Sequence, residues 1–347
     1  MAEILQKSGE MSYAKAAAGT TISKQTVHNR LMALKEVVKP VEKVRGTPEI
    51  LDVFADEDHV HLTPKGNAIV PLVTITEGMD ESNTKRHKTI NPFHMAEYGM
   101  KTSAFSENVL AVLTERYDLD QVEEIRLHGD GGRWIEGLGS VLPKCKPVMD
   151  GYHIEKRIRA FLRLPGASGY ARVLRKAIEE GDLKKFQDYC IAICDRQEDK
   201  KNREHANEFV YHCTNHWDAI TRRKGGQVCG SCTEAQVSHV LSERLSRAPL
   251  GWSEQGLRQM TMIRVYIKNG GKLTKEDVRV SIPKETDFTA YQEDGYALYR
   301  QYAEKQSSDY LSQHDWSVFE KESFSLSKLD FPYLLLKSLG APQNVTV

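Results

Sequence analysis

Apolar and polar positions alternate with the period of a β-strand at 124–130, where Ile125 and Leu127 point one way before the run stops at Asp130-Gly131-Gly132. Such a strand leaves its terminal carboxylate at the sheet rim, with open space beside the two glycines. An Asp-Gly turn is the plainer meaning of the same dipeptide. Two more β-rich runs, 50–62 and 67–76, flank Pro64-Lys65-Gly66 and predict a hairpin, and a third β segment is expected within 85–98. Phe105, Val109, Leu110 and Leu113 recur at helical spacing in 103–117. A short helix at 134–141 and a strand at 146–150 follow. The order strand-strand-strand-helix-strand-helix-strand predicts an α/β fold: a ribonuclease-H-like catalytic core with a mixed sheet.

Upstream, residues 1–38 have a helical pattern. A short helix at 13–18, a turn at Gly19-Thr20-Thr21 and a second helix capped by Ser23 and running to about Val37 have the helix-turn-helix form. Ile22, Val27, Leu31 and Leu34 make the apolar stripe of that second helix. Lys24, Gln25, His28, Asn29 and Arg30 face outward, and Gln, Asn and Arg are side chains that read base edges. A plain helical hairpin is the alternative. The unit begins almost at Met1, so an earlier helix is expected to be missing or minimal and the DNA-binding region, 1–40, truncated. Residues 153–228 are helical and carry no β signal, as expected of an insertion between the last strand and the last core helix. The core resumes at 229–265, with a helix over 235–246, and 266–347 is a C-terminal helical region with a final segment at 330–339.

The first strand carries Asp56-Glu57-Asp58, and in the expected strand order it lies beside the strand that ends in Asp130. Asp56 and Asp58 share one face and Glu57 takes the other. Crowded carboxylates are costly without a cation, and oxygen-only clusters favour Mg²⁺ or Mn²⁺. Glu234, in the first turn of the helix after the insertion, is the natural third ligand.

Charge alters this picture only locally. Lys+Arg and Asp+Glu are equal at 48 each, so net charge does not announce a nucleic-acid partner, although 156–176 and Arg222-Arg223-Lys224 are basic and suit phosphates. The chain has no apolar run long enough to span a bilayer and no signal-peptide pattern, and its six cysteines fit a reducing cytoplasm. No small-molecule cofactor motif stands out. Cys229 and Cys232 form a CxxC downstream of His212, Cys213 and His216, enough for zinc on paper; no second CxxC follows, so buried thiols are the expectation.

Four blocks together resemble DDE-type bacterial insertion-sequence transposases, most closely the ISLre-type family and more loosely the mutator-like ones. They are ADEDHVHL (55–62), LHGDGGRWI (127–135), MDGYHIEKRI (149–158) and CTEAQVSHVLSERLSRAPLGWSEQGLRQM (232–260). The resemblance covers roughly residues 20–265. It implies a ribonuclease-H-like core, an N-terminal DNA-binding region and a helical insertion before the third carboxylate. It also implies catalytic roles for Asp56 (or Asp58), Asp130 and Glu234, and a supporting or DNA-contacting role for Asp150 and His153. Arg244 would contact the scissile phosphate, with an ordinary surface arginine as the alternative. The implied chemistry uses two divalent ions about 3.5–4 Å apart to cut an element end and join it to target DNA. A dimer or larger assembly on DNA is implied, because two ends must be held at once. Two other functions fit the residues: a helix-turn-helix transcription regulator, and a ribonuclease-H-like nuclease without strand transfer.

Overall fold

The computed structural model describes residues 1–64, 66–80, 88–222, 232–247 and 251–278. Strand β1 (Ile50–Leu62) turns back into β2 (Gly66–Thr76) with Leu62 opposite Gly66. A two-stranded ribbon, β3 (Met79–Asp80) with β4 (Lys88–Thr89), leads to β5 (Phe93–Ala96). Helix α4 (Thr102–Arg116), β6 (Glu124–Gly129), α5 (Arg133–Val141) and β7 (Cys145–Met149) follow. The five-stranded mixed sheet has the order β5-β2-β1-β6-β7. β2 is antiparallel to both neighbours, while β1, β6 and β7 run parallel. The β segment expected within 85–98 is split between β4 and β5.

Sheet position explains why β1 reads as a nearly continuous apolar run up to Asp56: it is the central strand, covered on both faces. On one face Leu51, Val53, Ala55, Ile125 and Leu127 pack under Phe105, Val109, Leu113, Ile135 and Leu138 of α4 and α5. On the other, Val60, Leu62, Val70 and Leu72 meet the segment after the insertion. That segment is α11 (Thr233–Val237), a π-helical turn Ser238–Ser242 and α12 (Glu243–Leu245), followed by α13 (Glu254–Lys268). The continuous helix expected over 235–246 is therefore interrupted.

Between these parts lies the insertion: α6 (Gly151–Phe161), α7 (Ala171–Glu180), α8 (Leu183–Cys194), α9 (Lys200–Asn215) and α10 (Trp217–Arg222). It has a core of its own, in which Phe161 stacks on Phe209 at 4.2 Å and Phe186 leans on Trp217. Cys190 and Cys213 are inside it, and burial pushes the Cys213 thiol up to about 12. Both pack that core as small apolar side chains. Cys229 of the CxxC lies outside the described residues, as does 279–347 with its expected 330–339 segment.

A minimal earlier helix, α1 (Ala2–Ser8), 7 residues long, precedes α2 (Tyr13–Ala17) and α3 (Lys24–Met32), and the N-terminus departs from expectation in two ways. Ser12 and Ser23 cap the latter two through the amides of Lys15 and Thr26. Helix α3 ends at Met32, short of Val37, because the chain must unwind for Leu34 and Val37 to reach the core beneath α13. Finally, Val27 and Leu31 share one hydrophobic cluster with β1, β2 and α13, so residue 40 is not a packing boundary. No described helix is long and apolar enough to cross a membrane.

Acid sensitivity is built into β5. His94 is buried, shares a 2.9 Å hydrogen bond with Thr74 Oγ1, and has its pKa pulled down to about 4 by burial and then by Lys268. The unfolded chain binds this proton below about 6.5 and the folded one only near 4. The unfolded state thus carries more protons in that window, and stability falls as pH drops through it. The shift is equivalent to a loss of up to about 3 kcal/mol. Urea titrations at pH 7 and pH 4.5 are expected to show a smaller acid loss in His94→Asn than in the parent. Equal losses would assign the acid sensitivity elsewhere.

Candidate metal centre

Among the described residues, one set of three potential metal ligands has its donor atoms within 4.8 Å of one another: Asp56, His153 and Glu234. Asp56 is delivered by the middle of β1, at the point where the apolar run ends. His153 comes from the first turn of α6 and Glu234 from the first turn of α11. His153 Nε2 lies 3.6 Å from Asp56 Oδ2 and 3.9 Å from Glu234 Oε1. Both separations exceed a direct hydrogen bond, and Nε2 is buried with no hydrogen-bond partner. The side chains of Asp56 and His153 are 12% and 17% exposed, whereas that of Glu234 is 50% exposed, so the site opens on the Glu234 side. Asp56, ahead of Asp150 and Asp130, holds the imidazole pKa above its ordinary value against the opposing effect of burial.

Asp150 organises this site without being part of the close set. It caps α6, with Oδ1 accepting from the amides of Tyr152 (2.8 Å) and His153 (3.3 Å), while Oδ2 accepts from Thr233 Oγ1 at 2.6 Å. One buried carboxylate thus joins the end of β7, the backbone of His153 and the residue before Glu234.

Asp58 shares the Asp56 face but has another occupation. Its Oδ1 accepts from Ser242 Oγ (3.0 Å) and Ser246 Oγ (2.9 Å), and burial pushes its pKa up. The pair therefore divides: Asp56 faces the opening, and Asp58 fastens β1 to the helical segment above it. Asp58→Asn is expected to keep any metal-dependent activity within about three-fold, because hydroxyl donors serve an amide oxygen as well as a carboxylate. A loss as large as that of Asp56→Asn would reverse this assignment.

Asp130 ends β6 as expected, one strand from Asp56, yet it is outside the close set. Its Oδ1 accepts from Gly132 N at 2.8 Å across Gly131, whose φ of +79° suits glycine. The turn reading and the rim reading of this dipeptide both describe it. Its charge still acts on His153 and His212.

Arg244 requires correction. It is buried, lies over the rings of Tyr13 (5.3 Å) and Trp252 (4.8 Å), and donates from Nε to Ser8 O. A guanidinium committed to the N-terminal helices is not presented to a phosphate. On α3, Lys24, Gln25 and Asn29 are exposed, while His28 and Arg30 are half-buried, His28 edge-on to Tyr13. Gln25 Nε2 donates to Asn29 Oδ1 at 2.8 Å.

Sequence reasoning passed over two arrangements. His128 Nε2 lies 2.6 Å from Asp52 Oδ1, both residues buried, with the His128 ring stacked on Phe54. Alternation could have flagged this pair, since Asp52 and Asp56 share a face, as do His128 and Asp130. His212 and His216 of the insertion, considered above only as zinc ligands beside the CxxC, instead approach the β6 rim. His216 Nε2 is 3.7 Å from Glu136 Oε1, and a Cβ on Gly131 would sit 3.1 Å from its ring.

The family model described as "Uncharacterised protein family (UPF0236)" matches residues 3–281. Relatives named UPF0236 proteins occur in Caldanaerobacter subterraneus subsp. tengcongensis. Three of them are 35% identical to this chain over alignments of 281 residues that cover 78% of it. Their names carry four, two and eleven locus designations, so these proteins are multi-copy in one genome. The match covers 58%, 56% and 58% of the three relatives, so the chain spans little more than half their length. On the extent of both matches, the chain belongs to the UPF0236 family.

Proposed function

We propose that this chain carries the catalytic core of a DDE-type transposase, with a ribonuclease-H-like fold, which cleaves element ends and transfers them to target DNA. The observation that carries this reading is the meeting of Asp56 from β1 with Glu234 from the helix after the insertion, one strand away from Asp130. The sheet order β5-β2-β1-β6-β7 with antiparallel β2 supports the fold assignment. The many locus designations of the relatives suit a gene that copies itself.

The donor set fits a divalent ion: two carboxylates and an imidazole whose buried Nε2 has no hydrogen-bond partner. Asp56, His153 and Glu234 would hold it, with Asp130 available from the next strand. When bound, such an ion supplies charge stabilisation to a phosphodiester under in-line attack. The chain's own part is to orient. Asp150 holds His153 and Thr233 in register, while half-exposed Glu234 leaves the side on which a DNA strand can enter. The exposed Lys24, Gln25 and Asn29 of α3, in a helix-turn-helix, would contact element DNA. Two ends held at once would need at least a dimer.

The test uses end-labelled DNA spanning the boundaries of the element that encodes the chain, with plasmid target and Mg²⁺ or Mn²⁺. A full-length relative is run in parallel. A joined product supports transposition. Cleavage without joining moves the assignment to a nuclease, and sequence-specific binding with no metal-dependent processing moves it to a transcription regulator.

A further inference from the structure

The reading above leaves open which ion the site selects, and His153 bears on that choice. Ligands of one ion stand about 2.0–2.2 Å from it, and therefore about 3–4 Å from one another. His153 Nε2 stands 3.6 Å from Asp56 Oδ2 and 3.9 Å from Glu234 Oε1. These gaps are too long for hydrogen bonds and right for shared coordination. His153 lies within ion-pair distance of both acids, and three further features suit it to share an ion with them. Its Nε2 is buried without any hydrogen bond. Its backbone is pinned by Asp150, which also grips the residue before Glu234, so two of the three donors are held by one group. Its ring is braced edge-on against Tyr152 at 5.4 Å.

We propose that His153 is a direct metal ligand, making this a mixed nitrogen–oxygen site that prefers Mn²⁺ and similar first-row transition ions to Mg²⁺. Imidazole suits transition ions, whereas Mg²⁺ favours oxygen donors. The proposal rests on the metal-centre reading but is separable from it, because the carboxylates alone would hold an ion without nitrogen.

The experiment is three-pulse electron spin-echo envelope modulation on the full chain loaded with Mn²⁺, with calorimetric titrations of Mn²⁺ and Mg²⁺. The expected result is ¹⁴N modulation that converts to the ¹⁵N pattern in protein labelled with ¹⁵N-histidine and disappears in His153→Gln. Preference for Mn²⁺ over Mg²⁺ should fall about ten-fold or more in that variant. Should His153→Gln not fold, the double variant His212→Gln/His216→Gln, which removes the other imidazoles near Asp130, is expected to keep the coupling. Loss of the coupling in the double variant overturns the proposal. Mn²⁺ binding that needs Asp56 and Glu234 but shows no nitrogen coupling overturns it and leaves the metal-centre reading standing. Mn²⁺ binding indifferent to Asp56→Asn and Glu234→Gln, or no binding, overturns both.

Discussion

Asp56→Asn and Glu234→Gln are each expected to lower metal-dependent DNA processing by about 10³-fold or more while leaving the protein folded. Each substitution is isosteric and removes one negative charge from a site whose three donors come from three separate elements. Neither side chain carries a packing role. Asp56 Oδ1 accepts a local bond from Glu57 N, and Glu234 is half exposed. Thermal midpoints should therefore be preserved while Mn²⁺ affinity collapses. Asp130→Asn is expected to share the activity loss with a smaller effect on metal affinity, since its carboxylate is outside the close set and tied to Gly132. The measurement is strand-transfer yield beside calorimetric metal binding. Full activity in Glu234→Gln would remove the third carboxylate from the mechanism.

The largest stability effect is expected at Arg264. This side chain is wholly buried, and all five of its donors are placed. Nε donates to Val240 O, Nη1 to Gly9 O and Glu10, and Nη2 to His239 O and Glu243. One guanidinium thus ties α13 to two carbonyls of the π-helical turn and to the end of α1. Arg264→Met fills similar volume but strands three backbone carbonyls away from water, a cost of about 3–5 kcal/mol. Arg264→Lys should recover little, because a single ammonium cannot reach acceptors on both sides of the planar fork. Urea unfolding of both variants checks this. A loss under about 1 kcal/mol would mean that the carbonyls find other partners.

Arg264 also shows where sequence reading stops. Arg244 and Arg264 look alike along the chain, and the one closer to Glu234 drew the functional expectation. The fold buries both, for reasons 236 and 255 residues distant in the sequence, at Ser8 and Gly9. His128 and Asp52 are likewise 76 residues apart; alternation gives the face of each, and only the pairing of β1 with β6 brings them together. Period-two alternation, by contrast, is local. It located β6, put Asp56 and Asp58 on one face of a strand read from its β-rich composition, and left Asp130 at a strand end. The capping serines at 12 and 23 are equally local, since each bonds an amide three residues on.

By itself, then, the sequence determined the alternation of strands and helices, the insertion between β7 and α11, and the carboxylates that reach the sheet rim. These follow from side-chain periodicity and backbone preference, which act over a few residues. Only the tertiary structure decided that Asp56 and not Asp58 faces the opening, because the position of Ser242 and Ser246 above β1 is set by helix packing. It alone placed His153 rather than Asp130 beside Asp56 and Glu234. That choice depends on Asp150 bonding at once to the start of α6 and to Thr233, a contact across 83 residues of chain.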